Sequence, residues 1–141
     1  MTEIDHDSII EAVKKKVNRA FEAFEKLDAD TLLENYHNHA DLRFIGLIFG
    51  EIFNLTYGEF TKVIKGGFGT RKAQKFIRET EFFNVLSDKR VLYNTTGEGY
   101  KVPNEGERME FNFIITMIYS LIEGEWKVIH ETEAQIAKKE E

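Results

Sequence analysis

Apolar residues recur at helical spacing along the first part of the chain. Five of them lie three or four positions apart and share one face of a helix: Ile10, Val13, Val17, Phe21 and Phe24. Ser8-Ile9-Ile10-Glu11 matches a capping box, in which the serine and the glutamate satisfy free amides at a helix start. The pattern predicts one long amphipathic helix that ends at Asp28-Ala29-Asp30. Asp30 is expected to cap a short second helix that carries Leu32, Leu33 and Tyr36.

Beyond Ala40 the period changes, and short strands are expected at 42–47 and 51–55, with Gly50 at the turn. Thr56-Tyr57-Gly58-Glu59 is a second capping box and starts a third helix, which Gly66 and Gly67 are expected to end. Two long hairpins follow, 75–86 with 91–102 and 107–121 with 125–135. Segregated helices and an antiparallel sheet predict an α+β fold, in a single domain over 1–141 with a charged tail at 137–141.

The register of the last hairpin follows from a turn at Glu123-Gly124. The directly opposed pairs would be Leu121 and Trp126, Tyr119 and Val128, and Met117 and His130. This face is the more apolar one and is expected to face the helices, with Glu131 and Glu133 on the opposite face. His130 then has two interpretations, a buried neutral histidine bonded to a hydroxyl or a histidine that lines a cavity.

In the strand at 91–102, polar and apolar residues do not separate clearly between the two faces. Asn94 and Tyr100 are expected to point inward, with Leu92, Thr96 and Glu98, and could then add polar groups to a cavity. Val91 and Tyr93 are apolar too and lie on the opposite face, so the pattern equally allows that face to point inward.

Charge and composition narrow the function classes. Lys and Arg total 19 against 25 Asp and Glu, and this acidic balance argues against nucleic acid as a partner. No stretch approaches the roughly 20 apolar residues of a membrane span. With no cysteine and no apolar leader at the N-terminus, a cytoplasmic protein is expected.

The two histidines in His37-Asn38-His39-Ala40-Asp41 could suggest a metal site. Catalytic zinc usually takes three protein ligands, and nothing in the spacing requires a third from Asp41, His130 or His6. We therefore expect a polar helix end here, with no metal and no cofactor.

Three stretches together resemble the NTF2-like superfamily, in its SnoaL-like branch. They are FEAFEKLDADTLLENYHNHADLRFIG at 21–46, GEIFNLTYGEFTKVI at 50–64, and TMIYSLIEGEWKVIH at 116–130. The resemblance extends from about Ile9 to Ala134. It implies a cone, in which a strongly curved antiparallel sheet wraps around the long N-terminal helix and is open at one end. It also implies a homodimer formed through the outer sheet face.

The chain departs from the pattern of this superfamily at positions that matter for function. Ketosteroid isomerases of this superfamily carry a catalytic carboxylate, tyrosine and acid at positions that align near Phe44, Ala20 and the Ile115–Met117 region. None of these residues supplies that chemistry, so steroid isomerisation is rejected. Many SnoaL-like chains continue the last strand as His-x-His, whereas Thr132 replaces the second histidine in this chain.

Two functions stay open from the sequence. The first is a small-molecule-binding protein with isomerase, cyclase or dehydratase chemistry on a planar apolar compound, in which His130 is the acid or base and Tyr119 donates a hydrogen bond. The expected ligand-binding residues are Tyr36, Asn94, Tyr100, Met117, Trp126 and Thr132. The second is a non-catalytic dimerisation or ligand-sensing domain. The sequence leaves open whether the cavity is empty or filled by phenylalanine side chains.

Overall fold

The computed structural model describes residues 5–138. Three helices and six strands follow in the order α1 (His6–Glu25), α2 (Ala29–Leu33), β1 (Arg43–Ile48), β2 (Glu51–Leu55), α3 (Tyr57–Gly69), β3 (Arg71–Ser87), β4 (Arg90–Pro103), β5 (Met109–Ile122) and β6 (Glu125–Ala137). The strands form one curved, open sheet in the order β2-β1-β6-β5-β4-β3. The α+β prediction is confirmed. The sheet is mixed instead of purely antiparallel, because β1 and β6 run parallel.

The helix starts differ in part from the sequence prediction. The side chain of Asp5 caps α1 and accepts a hydrogen bond from the Ser8 amide at 3.0 Å, so the predicted capping box at Ser8 is wrong. Asp28, not Asp30, caps α2 and accepts a hydrogen bond from the Thr31 amide at 3.1 Å. In both places an aspartate a few residues upstream satisfies the free amides first.

The third helix begins as predicted and ends later. Thr56 and Glu59 form the expected reciprocal capping box. The helix continues through Gly66 and Gly67 to Gly69, although each glycine costs about 1 kcal/mol relative to alanine inside a helix. Phe68 is buried beyond the two glycines, and its packing favours the extra turn.

Helix α1 packs on the face of the sheet that we call the inner face. Val13 and Val17 are fully buried there. The ring of Phe76 on β3 lies with its centroid 5.6 Å from that of Phe21 and 4.3 Å from that of Phe24. The predicted apolar face of α1 therefore forms one side of the core.

A β-bulge in β6 divides the last hairpin into two registers. Leu121 pairs with Trp126 and Tyr119 pairs with Val128, as predicted. The next pair is Ile118 with His130, so Ile129 is an extra residue on β6. Because one extra residue moves every later side chain to the opposite face, the predicted pairing of Met117 with His130 is wrong. Met117 pairs with Glu131 instead.

The bulge lies where the other edge of β6 changes partner. The Val128 amide donates to the Asn35 carbonyl, and the His37 amide donates to the Val128 carbonyl, both at 2.8 Å. From His130 onward β6 pairs with β1, beginning with Arg43 opposite His130. The segment after α2 and strand β1 therefore hold the two halves of β6 in different registers.

The chain ends are only partly described. Ala137, expected in a charged tail at 137–141, is the last residue of β6. Positions 139–141, and the polar N-terminal positions 1–4, lie outside the described residues. None of the helices within 5–138 is long and apolar enough to cross a membrane.

Strand β4 contains a glycine that another backbone approaches closely. Gly97 pairs with Arg78 beside a bulge in β3. A Cβ atom added to Gly97 would lie 2.0 Å from the Ile77 carbonyl oxygen. By contrast, a Cβ at Gly66 in α3 would have no neighbouring atom within 4 Å. The two glycines therefore make a matched pair for testing the geometry.

Gly97→Ala should lower the free energy of unfolding by roughly 2–3 kcal/mol, because β3 and β4 must separate to admit the methyl group. Gly66→Ala should raise it by about 0.5–1 kcal/mol, since alanine is the better helix former. Urea unfolding followed by circular dichroism measures both values. A Gly97→Ala protein as stable as the wild type would contradict this sheet geometry.

Candidate active site

A cavity of about 170 Å³ lies between the helices and the inner face of the sheet. For comparison, a cavity of roughly 150 Å³ is enough to admit benzene. Seven of the 12 phenylalanines line it: Phe21, Phe24, Phe44, Phe53, Phe60, Phe68 and Phe76. The phenylalanines therefore form walls around the space and do not fill it.

Buried polar side chains of β6 lie along one wall of this apolar cavity. Glu131, Glu133 and Gln135 are only 2%, 8% and 3% exposed. They are alternate residues of one strand, so they share a face. The extra residue at Ile129 turns that face inward, whereas the predicted register placed both glutamates on the outside.

Tyr36 meets the first of these carboxyl groups. Its neighbours hold it beside β6, because the Asn35 carbonyl accepts from the Val128 amide and the His37 amide donates to the Val128 carbonyl. Its hydroxyl donates to Oε1 of Glu131. Burial raises the pKa of Tyr36 well above its ordinary value, and the negative charge of Glu131 adds to this effect. Tyr36 therefore keeps its proton and serves as a hydrogen-bond donor.

Glu131 and Glu133 act as a pair of close carboxyl groups. Burial raises the pKa of Glu131 well above its ordinary value. The charge of Glu133 and a hydrogen bond shared with it raise this pKa further, while the bond from Tyr36 opposes the shift. Two close carboxyls in an apolar site resist double ionisation, so Glu131 keeps its proton to a higher pH than an exposed carboxyl does.

A lysine extends the polar wall beyond Gln135. The Nζ atom of Lys101, on β4, donates to Oε1 of Gln135 at 2.6 Å, and Nε2 of Gln135 donates to Glu133. Burial, together with the positive charge of Arg71, lowers the pKa of Lys101 to about 8, against an opposing effect of Glu133. Lys101 is therefore still mostly protonated at pH 7.

The structure brings two of the predicted site residues to the cavity. Tyr36 and Met117 both line it. Tyr119 and Trp126 are buried on the inner face but do not line the cavity. The Tyr119 hydroxyl is already engaged, since it accepts a hydrogen bond from Nδ2 of Asn35 at 3.0 Å.

The other predicted site residues lie on the outer face, and their predicted inward positions are wrong. Beyond the bulge, His130 and Thr132 bond to each other there, with 3.1 Å between Nε2 and Oγ1. On β4 the fully buried side chains are those of Val91, Tyr93 and Thr95, so the intervening Asn94 faces outward. Tyr100 faces outward as well, with the guanidinium of Arg108 3.9 Å from its ring centroid.

Sequence reasoning missed Glu131, Glu133, Gln135 and Lys101. Three polar residues in alternate positions do predict one common face of a strand. The rule that charged side chains face water then assigns that face to the outside. Only the bulge, which has no sequence signature here, reverses the assignment.

Among residues 5–138, there is no group of three or more His, Cys, Asp or Glu side chains that could hold a metal ion. His37 and His39, the residues considered for a metal, stack with ring centroids 5.2 Å apart. Nδ1 of His39 accepts a hydrogen bond from the Asp41 amide at 3.0 Å.

The sequence profile of the SnoaL-like domain family matches residues 13–137. The chain belongs to the SnoaL-like domain family. No curated protein sequence matches this SnoaL-like domain.

Solved structures share the fold at low sequence identity. An NTF2-like superfamily protein from Salmonella enterica serovar Typhimurium has a TM-score of 0.79 at 12% identity, with 95% of each chain covered. The putative scytalone dehydratase of Novosphingobium aromaticivorans has a TM-score of 0.76 at 10% identity, with 89% of this chain and 83% of that chain covered. A type 2 hexachlorocyclohexane dehydrochlorinase has a TM-score of 0.77 at 11% identity, with 95% and 89% covered. Such identities establish the fold and no more.

Glu131→Gln should make the protein more stable at neutral pH, and the gain should grow with pH. A carboxyl with a raised folded-state pKa contributes stability that is fully present below its unfolded pKa, near 4.5, and is lost as the pH rises. Glutamine keeps the shape and a partner for Tyr36 without ionising. The difference should therefore increase above pH 4.5, by at most about 1.4 kcal/mol per pH unit.

Urea unfolding at intervals from pH 4.5 to pH 8 measures this difference. Glu51→Gln, on the exposed edge of β2, controls for the change in net charge. A stability difference that stays constant over the whole range would contradict a buried carboxyl of raised pKa.

Proposed function

We propose that this SnoaL-like domain is an enzyme that moves a proton on a small, largely apolar or planar molecule held in the cavity. The reaction class is dehydration, isomerisation or cyclisation. The observation that carries the proposal is the buried Glu131–Glu133 pair, which lies on the wall of an otherwise apolar cavity. A stability-driven core would contain neither carboxyl, since burying them is costly.

The pair has the properties that acid–base catalysis requires. One carboxyl holds a proton that it can give to a departing or developing oxygen, and the other can accept a proton from carbon. Tyr36 donates to Glu131 and so holds one of its oxygens in place. The surrounding phenylalanines give the cavity mostly apolar walls, and surroundings of low polarity strengthen charge interactions.

Two of the structures with this fold are consistent with the reaction class. Their names describe a dehydratase and a dehydrochlorinase. Both reactions are eliminations, in which a base removes a proton from carbon while a group leaves the neighbouring carbon. Those similarities concern the fold alone, and the carboxyl pair of this chain supports the reaction class independently.

In this proposal Glu131 takes the role that the sequence assigned to His130. His130 lies on the outer face and bonds to Thr132, away from the cavity wall. The two residues are adjacent on β6 but point to opposite faces. They therefore form a matched pair, in which only one substitution changes the cavity.

Small aromatic and alicyclic β-hydroxyketones provide a test, because their dehydration produces an enone that absorbs in the ultraviolet. Glu131→Gln should reduce the kcat of an accepted substrate by roughly a hundredfold or more, the usual contribution of an acid or base. His130→Gln should leave kcat within a few-fold of the wild type. If His130→Gln abolished activity while Glu131→Gln kept it, the proposal would be wrong.

Deuterium uptake from solvent at the carbon next to the ketone, followed by NMR, gives a second readout of proton removal. Ligands that bind without turnover and without deuterium uptake would favour the alternative, a non-catalytic ligand-sensing domain.

We also propose that the protein is a homodimer through the outer sheet face. A row of apolar side chains crosses four strands there: Ile114 on β5, Ala134 on β6, Leu47 on β1 and Ile52 on β2. Ile114 and Ile52 are 57% and 81% exposed. A contiguous exposed apolar surface of this kind favours association with another copy.

Ile114→Lys should convert a dimer into a monomer, because a buried unpaired charge opposes association. Leu86→Lys, at the exposed end of β3 far from the row, should leave the dimer intact. Sedimentation velocity at micromolar concentration measures the mass of each variant against the 16.4 kDa chain. A wild-type protein that sediments as a monomer would contradict the proposal.

A further inference from the structure

The polar groups of the cavity are separated by charge. The carboxyl groups lie on β6, whereas Lys101 on β4 and Arg71 at the start of β3 are both cationic and both line the cavity. Gln135 lies between the two sets, because it accepts from Lys101 and donates to Glu133. The amide therefore occupies the position in which the lysine and the glutamate would otherwise form an ion pair.

Arg71 has few partners for its guanidinium. Its Nη1 donates to Oε1 of Gln74 at 2.8 Å, and Nε2 of Gln74 in turn donates to the Phe24 carbonyl at 2.8 Å. A guanidinium carries five N–H donors. Among residues 5–138, neither Arg71 nor Lys101 forms an ion pair with a carboxylate.

This arrangement is costly for the folded protein. Burial lowers the pKa of Arg71, which means that the charged form is held at a cost. The nearby charge of Lys101 is of the same sign, and burial in an apolar site strengthens the repulsion between them. Lys101 and the half-buried Arg71 therefore repel each other, and an anion bound beside both would relieve that repulsion.

The backbone leaves space for the arginine. At Gly67 in α3, an added Cβ atom would lie 3.1 Å from Nη2 of Arg71. The glycine that α3 retains near its end therefore lets the guanidinium lie against the helix. The backbone of α3 at Gly67 therefore packs against one side of the Arg71 guanidinium and helps to hold it beside the cavity.

We infer that Arg71 and Lys101 form a carboxylate-binding subsite, so that the ligands of this cavity are small aromatic or alicyclic acids. The inference deepens the proposed function and rests on the same cavity. A carboxylate is favoured because the planar guanidinium fork matches its two oxygens. With the carboxylate at the cationic end, the apolar body of the ligand lies among the phenylalanines, within the cavity that Glu131 and Glu133 also line.

Pairs of probes that differ only in charge test the subsite. Benzoate, phenylacetate and cinnamate are each compared with the corresponding amide by isothermal titration calorimetry at pH 7 and constant salt. At least one carboxylate should bind roughly tenfold or more tightly than its amide, as expected for charge-assisted hydrogen bonds. Phenyl phosphate is included because it carries a different anion on the same ring.

Arg71→Gln should reduce this preference to within about threefold, since one neutral amide cannot replace the charged fork. Arg71→Lys should retain part of it. Arg108→Gln, which removes an exposed arginine that stacks on Tyr100 outside the cavity, should retain all of it. Without added ligand, the Arg71→Gln protein should be at least as stable as the wild type, whereas the loss of a merely structural arginine would lower the Tm of the protein.

Three results would overturn the subsite: no carboxylate binds better than its amide, phenyl phosphate binds better than every carboxylate, or Arg71→Gln keeps the preference. The carboxylate subsite and the proposed function can be refuted separately. A protein that dehydrates neutral ketones without preferring carboxylates refutes only the subsite. A protein that prefers carboxylates but promotes no proton transfer refutes only the catalytic proposal.

Discussion

The candidate site depends on the change of hydrogen-bond partner along one edge of β6. Val128 is held by the segment that follows α2, and His130 is held by β1. The extra residue between them, Ile129, reverses the faces of every later side chain on the strand. Glu131 and Glu133 therefore face the cavity, and His130 faces outward. The same backbone contacts set Tyr36 beside Glu131, so one local irregularity assembles the whole carboxyl cluster.

The interior combines favourable packing with a costly polar wall. Rings stack and meet edge-on around the cavity, as with Phe44 and Phe60, whose centroids lie 4.8 Å apart. These contacts stabilise the walls while the space between them stays empty. The polar groups form a continuous chain of hydrogen bonds along β6, which limits the cost of burying them. A core selected only for stability would replace this chain with apolar residues, so its presence supports the proposed catalytic role.

The comparison with other structures separates fold from chemistry. Proteins with 10–12% identity share the curved sheet and the enclosing helices. Such a scaffold supports a cavity for many kinds of ligand, and the residues that line it decide which one binds. In this chain two carboxyl groups and two cationic side chains line an otherwise mostly apolar cavity. This distribution of charge is the basis for the proposed class of ligand.

Local patterns predicted the order of the elements, the buried face of α1, the capping box of α3 and the inner face of β5, because these depend on periodicity and on residues within a few positions. The inward faces of β4 and of the second half of β6 depend instead on contacts between distant parts of the chain. On β4 both faces carry apolar residues, so periodicity cannot choose between them. On β6 the choice depends on Asn35, His37 and Arg43, which lie far away in the sequence. The two carboxyls are also an exception to the rule that charged side chains face water. They face a cavity inside the protein, which periodicity cannot reveal.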